Sequence, residues 1–179
     1  MKKSITGFMK LLSLTIVLAM IMPVFTNAQA GKVNFAGSWI YNASKSTQPP
    51  AGGGQGGGMR MMMGGDRVVT QEANLLTSAT TRNGQDGTPM TTTLKYTLDG
   101  KESINTNPRG DSKSVATWSA DGKSLTIKTS RTMDMNGQSM TMVSEEAWTL
   151  TDAKTLTVTS TRNGQDGTPV KTTMVYDKK

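Results

Sequence analysis

Thr81–Pro89 reads TRNGQDGTP, and Thr161–Pro169 reads the same nine letters again. On both sides of each copy, Thr alternates with apolar residues, and the Asn-Gly and Asp-Gly pairs within it are typical of tight turns. Each copy is therefore predicted to form a β-hairpin. A chain that uses one hairpin twice is predicted to build an antiparallel sheet from repeated units.

Alternating segments continue along the chain, and turn pairs such as Asp99-Gly100 and Asp121-Gly122 separate them. After residue 31 no helical spacing of apolar residues persists long enough for a helix. One face of these segments is apolar and the other carries Lys, Thr, Glu and Asp, which predicts a closed antiparallel barrel or a strongly bent sandwich. The predicted strands lie near 35–42, 67–71, 74–82, 90–98, 101–105, 112–119, 123–133, 140–151, 154–162 and 170–177.

The first thirty residues have the features of a cleaved signal peptide. Met1–Lys10 is basic, Leu11–Val24 is mostly apolar, and Ala28-Gln29-Ala30 matches a small-x-small cleavage site. The apolar part is too short for a convincing membrane span. We therefore expect an exported protein, periplasmic or extracellular, whose single domain spans 31–179 and has no transmembrane span after cleavage.

Composition excludes several classes of function. The chain has 20 Lys and Arg against 13 Asp and Glu, and the signal segment holds three of the Lys. The remaining basic residues are scattered rather than clustered with aromatics, so we expect no nucleic-acid partner. Without His or Cys, and with no paired interior acids, the sequence offers no common catalytic set, and we expect a non-enzymatic protein that is a monomer.

One Gly- and Met-rich segment lies outside the predicted strands. Residues 48–66 contain too much Gly to pack and are predicted to form a long flexible loop. Thioethers are soft ligands that suit Cu(I), so a copper site is one hypothesis, against the alternative that Met only fills gaps. Its candidate ligands are Met59, Met61, Met62 and Met63 of the loop, with a second cluster at Met133, Met135, Met140 and Met142.

The segment Asn34–Tyr41, NFAGSWIY, resembles the Phe-x-Gly-x-Trp opening of the calycin superfamily and of secreted bacterial lipocalin-like domains. The resemblance implies an up-and-down, lipocalin-like barrel of about eight to ten strands that binds a small apolar ligand. It assigns Phe35, Gly37 and Trp39 to the first strand, with the Trp closing the narrow end. It also implies a basic residue late in the chain that covers the Trp, for which Arg162, Lys178 and Lys179 are candidates.

Strand alternation predicts a ligand site inside the barrel. A four-residue turn at Asn136–Ser139 would set Ile127 opposite Trp148, Thr129 opposite Glu146 and Arg131 opposite Ser144. An apolar tail would then fill the closed end and an anionic head would meet arginines at the other. The alternatives are arginines that only reach water from the rim and an internal ion pair of Glu146. The predicted ligand-binding residues are Arg82, Arg131, Arg162, Glu146, Trp148, Thr129 and Ser160.

Three functions follow from these observations. The first is binding or carriage of a small hydrophobic or amphiphilic molecule with an anionic head in the bacterial envelope. The second is a structural or protein-interaction module whose barrel is filled. The third is Met-based Cu(I) binding, and no other cofactor is expected.

Overall fold

The computed structural model describes residues 31–47, 64–84, 86–107, 110–135, 138–163 and 167–179. The predicted signal peptide therefore lies outside the described residues, as do Met59, Met61, Met62 and Met63 with most of the predicted loop. Within the described ranges the chain is all-β, and none of it forms a helix with the length and hydrophobicity needed to cross a bilayer.

All ten predicted strands are present, and their ends lie within two residues of the predicted ones. Alternating Thr and apolar residues suit a pleated surface with one buried face, which explains why the pattern found them. The strands are β1 (Gly37–Tyr41), β2 (Asp66–Gln71), β3 (Leu75–Asn83), β4 (Pro89–Thr97), β5 (Glu102–Asn107), β6 (Gly110–Trp118), β7 (Ser124–Met135), β8 (Gln138–Asp152), β9 (Thr155–Asn163) and β10 (Pro169–Lys178).

The strands form one antiparallel sheet in the order β4-β3-β2-β1-β10-β9-β8-β7-β6-β5, which curls into a nearly closed barrel. Side chains rather than a backbone ladder join the two outer strands. Asn105 accepts a hydrogen bond from the Lys95 amide at 2.7 Å and donates one to the Lys95 carbonyl at 3.0 Å. Ser103 Oγ accepts from the Thr97 amide at 2.8 Å. We call this junction of β4 and β5 the seam.

The predicted register of the β7–β8 hairpin is wrong by two residues. Thr129 pairs with Ser144 rather than Glu146, and Arg131 pairs with Met142 rather than Ser144. The ladder continues to Met135 and Gln138, so only two residues lie between the strands and not four. A shift of two keeps every side chain on its predicted face, because side chains alternate with period two.

One end of the barrel, which we call the closed end, is filled by an apolar core. Phe35 lies inside it, with its ring stacked on Trp118 at 5.8 Å and edge-on to Trp148 at 5.9 Å. Such aromatic pairs add to the burial of apolar area. The side chains with 0% exposure are Phe35, Trp39, Leu76, Leu125, Trp148, Leu156, Val158 and Tyr176.

Hydrogen bonds from a buried amide hold Phe35 in place. Gln71 is 1% exposed, accepts from the Phe35 amide at 2.9 Å and donates to the Val33 carbonyl at 3.0 Å. The Trp39 indole donates to the Phe35 carbonyl at 2.9 Å. These hydrogen bonds hold the backbone of the segment before β1, while the Phe35 ring packs in the core.

Gly37 lets the chain pack closely beside Trp39. Its φ is +151°, and a Cβ there would lie 3.1 Å from the Lys178 side chain. The Lys178 ammonium lies 5.4 Å from the centre of the Trp39 ring, within the range of a cation–π contact. Lys178 is thus the basic residue, among the three candidates, that covers the Trp.

Candidate functional site

On two strands, β3 and β9, the interior side chains change from buried to exposed along the strand. On β9, Leu156 and Val158 are fully buried while Ser160 and Arg162 are partly exposed. On β3 the same order runs from Leu76 to Arg82. The interior therefore becomes accessible toward the β3–β4, β7–β8 and β9–β10 hairpins, which we call the open end.

Arg67 of β2 lies at the boundary between the two ends. It is 6% exposed, and its guanidinium carbon lies 5.0 Å from the centre of the Trp148 ring and 5.1 Å from that of Tyr176. Its Nη1 is 3.9 Å from a Glu146 oxygen, and its Nε has no hydrogen-bond partner. Buried guanidinium groups ordinarily pair all their donors, so the unpaired Nε makes Arg67 a candidate binding residue.

Glu146 is held beside Arg67 by its strand neighbour. The Trp148 indole donates to Glu146 Oε2 at 2.9 Å, and the carboxylate side chain is 29% exposed. Ser160 lies directly opposite Glu146 on β9. The structure thus brings together three of the predicted site residues, Glu146, Trp148 and Ser160.

Arg82 adds a second positive charge near the first. Its side chain reaches solvent, yet desolvation by the barrel wall and the charge on Arg67 lower its pKa from the ordinary value. Burial alone would lower the pKa of Arg67 too, but Glu146 and Tyr176 outweigh burial and raise it. We call Arg67, Arg82, Glu146, Trp148 and Tyr176 the Arg67 site, in which one carboxylate pairs with Arg67 and a second guanidinium lies within electrostatic range.

Burial raises the pKa of two tyrosines that interact electrostatically with Arg67. It raises the pKa of Tyr176, although Arg67 acts in the opposite direction, and it raises the pKa of Tyr96, which Glu146 raises further. Both hydroxyls therefore remain neutral at physiological pH, and the Arg67 site keeps its excess of positive charge.

The other predicted site residues lie further from Arg67. Thr129 shares a hydrogen bond of 2.9 Å with Ser114, so its hydroxyl is engaged within the wall. Arg131 and Arg162 are partly exposed on β7 and β9, with β8 between them. Whether these three bind a ligand stays a prediction. The expectation that an apolar tail fills the closed end is wrong for this structure, because fully buried side chains occupy that space.

Arg67 itself was missed from the sequence. In Arg67-Val68-Val69-Thr70-Gln71 an apolar residue falls on each face, so alternation does not tell which face is inside. The informative signal is cross-strand pairing. Arg67 lies opposite Thr80 and Val69 opposite Ser78, and both partners share the inner face of β3 with Leu76. Gln71, opposite Leu76, is interior for the same reason.

Gly65 lets the chain enter β2 beside Arg82. Its φ is +148°, and a Cβ there would lie 2.5 Å from Arg82 Cγ and 2.6 Å from the Thr81 carbonyl oxygen. Any larger residue would displace Arg82.

A separate groove of about 290 Å³ lies on the outer face of β6 and β7, lined by Val115, Thr117, Trp118, Ser119, Thr126 and Lys128. It includes none of the predicted site residues. The described residues also hold no group of three or more His, Cys, Asp or Glu that could bind a metal ion.

Comparison with known proteins shows a shared fold. No family model and no curated protein matches the chain. Among solved structures it is similar to the wild-type fluorescent protein UnaG, with 17% sequence identity, coverage of 81% of this chain and 97% of that one, and a TM-score of 0.52. Two UnaG mutants match at 16% identity, with TM-scores of 0.48 and 0.49. What the likeness shows is a shared fold, the nearly closed antiparallel barrel.

Proposed function

We propose that this barrel binds a small hydrophobic or amphiphilic molecule with an anionic head, and that it does so without catalysis. The observation that carries the proposal is the Arg67 site, where a buried guanidinium has an unpaired Nε and two positive charges face one carboxylate. An anion there would satisfy a buried donor and balance the excess charge.

The orientation of the ligand follows from the packing. Because the closed end is filled, the head would lie inward at Arg67 and the tail would extend toward the open end. Arg131 and Arg162 would then flank the tail or a second polar group. This orientation is opposite to the one expected from the sequence.

Titration with a dansyl-labelled undecanoate tests the proposal. We expect the wild type to bind the carboxylate more tightly than its methyl ester, and the R67M variant to lose that preference. K171M is the matched control, since Lys171 is an exposed cation on β10 and its removal should leave binding unchanged. Equal affinity of wild type and R67M for the carboxylate would reject Arg67 as the head-group partner.

A filled structural or interaction module is the second candidate, favoured by the tightly packed closed end. It predicts that neither the carboxylate probe nor its ester binds to the wild type at any concentration up to the solubility limit of the probe.

We further propose that the protein acts after export to the bacterial envelope as a secreted lipocalin-like domain. The basic start, apolar stretch and Ala-Gln-Ala site of the first thirty residues support this. Protein purified from its own host should begin at Gly31. An intact Met1 on protein from the envelope fraction would contradict cleavage.

A further inference from the structure

The corrected register of the β7–β8 hairpin brings Met133, Met140 and Met142 to one face. Met133 lies directly opposite Met140, and Met142 is two residues further along β8, opposite Arg131. The sequence had instead predicted Met135 opposite Met140 and Met133 opposite Met142. Residues opposite each other, and residues two apart on one strand, project from the same face of a ribbon.

The three methionines lie past the last described pairs of β7 with β6 and of β8 with β9. In the described part of the chain, the ladder with β6 reaches Ser112 and Arg131, and the ladder with β9 reaches Ser144 and Arg162. Met140 is 52% exposed and Met142 is 43% exposed, so both residues are accessible from solvent. Met133 is partly buried beside them.

The three side chains can converge on one ion. Opposite residues have Cβ atoms about 4.5–5.5 Å apart, and residues two apart on a strand are about 7 Å apart. Met has three rotatable side-chain bonds and adapts its shape readily, so its sulfur can reach a shared point over these separations. No backbone movement is required.

We propose that Met133, Met140 and Met142 form a binding site for Cu(I). Thioethers are soft ligands that prefer Cu(I) over hard cations. The chain has no Cys or His, so its soft donors are methionines. Arg131 is on the same face and repels cations in general, so affinity has to come from sulfur, and Mg²⁺, Ca²⁺ and Zn²⁺ should not bind there.

The test uses the mature chain with methionine methyl groups labelled with ¹³C, titrated anaerobically with Cu(I) and, as a redox-inert substitute, with Ag(I). We expect the resonances of Met133, Met140 and Met142 to move together, and those of exposed Met90 and buried Met174 to stay in place. Competition with bathocuproine disulfonate gives the affinity, which the M133L/M140L/M142L variant should reduce at least tenfold and the M90L control should not change.

Leucine preserves the apolar volume of each site, and unchanged thermal unfolding of the triple variant would show that the hairpin is intact. Two outcomes overturn the proposal. Either the three resonances fail to move with Cu(I), or the triple variant competes with bathocuproine as well as the wild type does. In both cases the methionines are only an apolar extension of the barrel wall.

Discussion

Replacing Arg67 with Met separates a ligand-binding role from a structural one. Met has a similar length and no charge, so it fills the same space between Trp148 and Tyr176. If Arg67 serves a ligand, the substitution should change binding far more than folding. If Arg67 serves the fold, the substitution should change folding far more than binding.

The effect on stability is a difference between opposing contributions. Loss of two desolvated cation–π contacts, at 5.0 and 5.1 Å, costs about 2 kcal/mol each at most. Removing a buried donor that lacks a partner recovers about 1–3 kcal/mol. Glu146 is not left isolated, because it is 29% exposed and keeps its bond from Trp148. We expect the free energy of unfolding to fall by about 1–3 kcal/mol.

Relative to the total binding free energy, the loss of ligand affinity should be larger than the loss of stability. A hydrogen bond to a charged group contributes about 1.5–3 kcal/mol, which corresponds to roughly a 10- to 150-fold loss of affinity. Affinity for the methyl ester of the probe should change much less, because the ester carries no charge for Arg67 to meet.

Urea unfolding and probe titration on the same R67M sample measure both quantities. A fall in unfolding free energy of more than about 4 kcal/mol with unchanged affinity for the carboxylate would refute the reasoning and make Arg67 a structural residue. Equal losses of affinity for the carboxylate and the ester would show that the substitution distorts the barrel interior instead.

Three further predictions concern stability. N105A should lower the free energy of unfolding by about 1–3 kcal/mol, because the Lys95 amide and carbonyl lose their partner at the seam, and an unchanged urea midpoint would show that the seam does not depend on it. L125A, at a fully buried position, should cost about 2–5 kcal/mol by the same measurement, and a cost under about 1 kcal/mol would place Leu125 outside the core. Hydrogen bonds from Lys45 and Asn42 lower the pKa of Asp177, so its contribution is present above the unfolded pKa and is lost as pH falls below about 4. The thermal midpoint of D177N should therefore vary less than that of wild type over this acid range, and identical pH profiles would contradict this.

The fold could be predicted because each strand carries its own signal. Leu125 and Ile127, or Leu156 and Val158, mark the inner face by alternation alone, and that face is correct throughout these strands. Register is a weaker signal, because it depends on the length of the turn. Asn136-Gly137 is typical of a two-residue turn, and extending it to four residues moved every pair of the hairpin by two.

The candidate site was only partly predictable for a related reason. Glu146 and Ser160 were found because strand alternation places both inside the barrel, where they lie opposite each other on β8 and β9. Arg67 could not be found from its own strand, where Val68 is 53% exposed and Val69 is 2% exposed. Only the partner strand distinguishes two adjacent valines, so a buried charge beside them has no local signature.

The pairing of β1 with β10 has a consequence for how the barrel assembles. Among the ladders of the described strands it alone joins segments distant along the chain, such as Tyr41 and Tyr176, which are 135 positions apart. Bringing such ends together costs about 4 kcal/mol of chain entropy, while β1 contributes only five residues. The aromatic rings of Phe35 and Trp39 must therefore supply much of the cohesion at this step. The short N-terminal motif therefore joins two groups of strands, β2–β4 and β5–β10, within each of which hairpins already pair the neighbours.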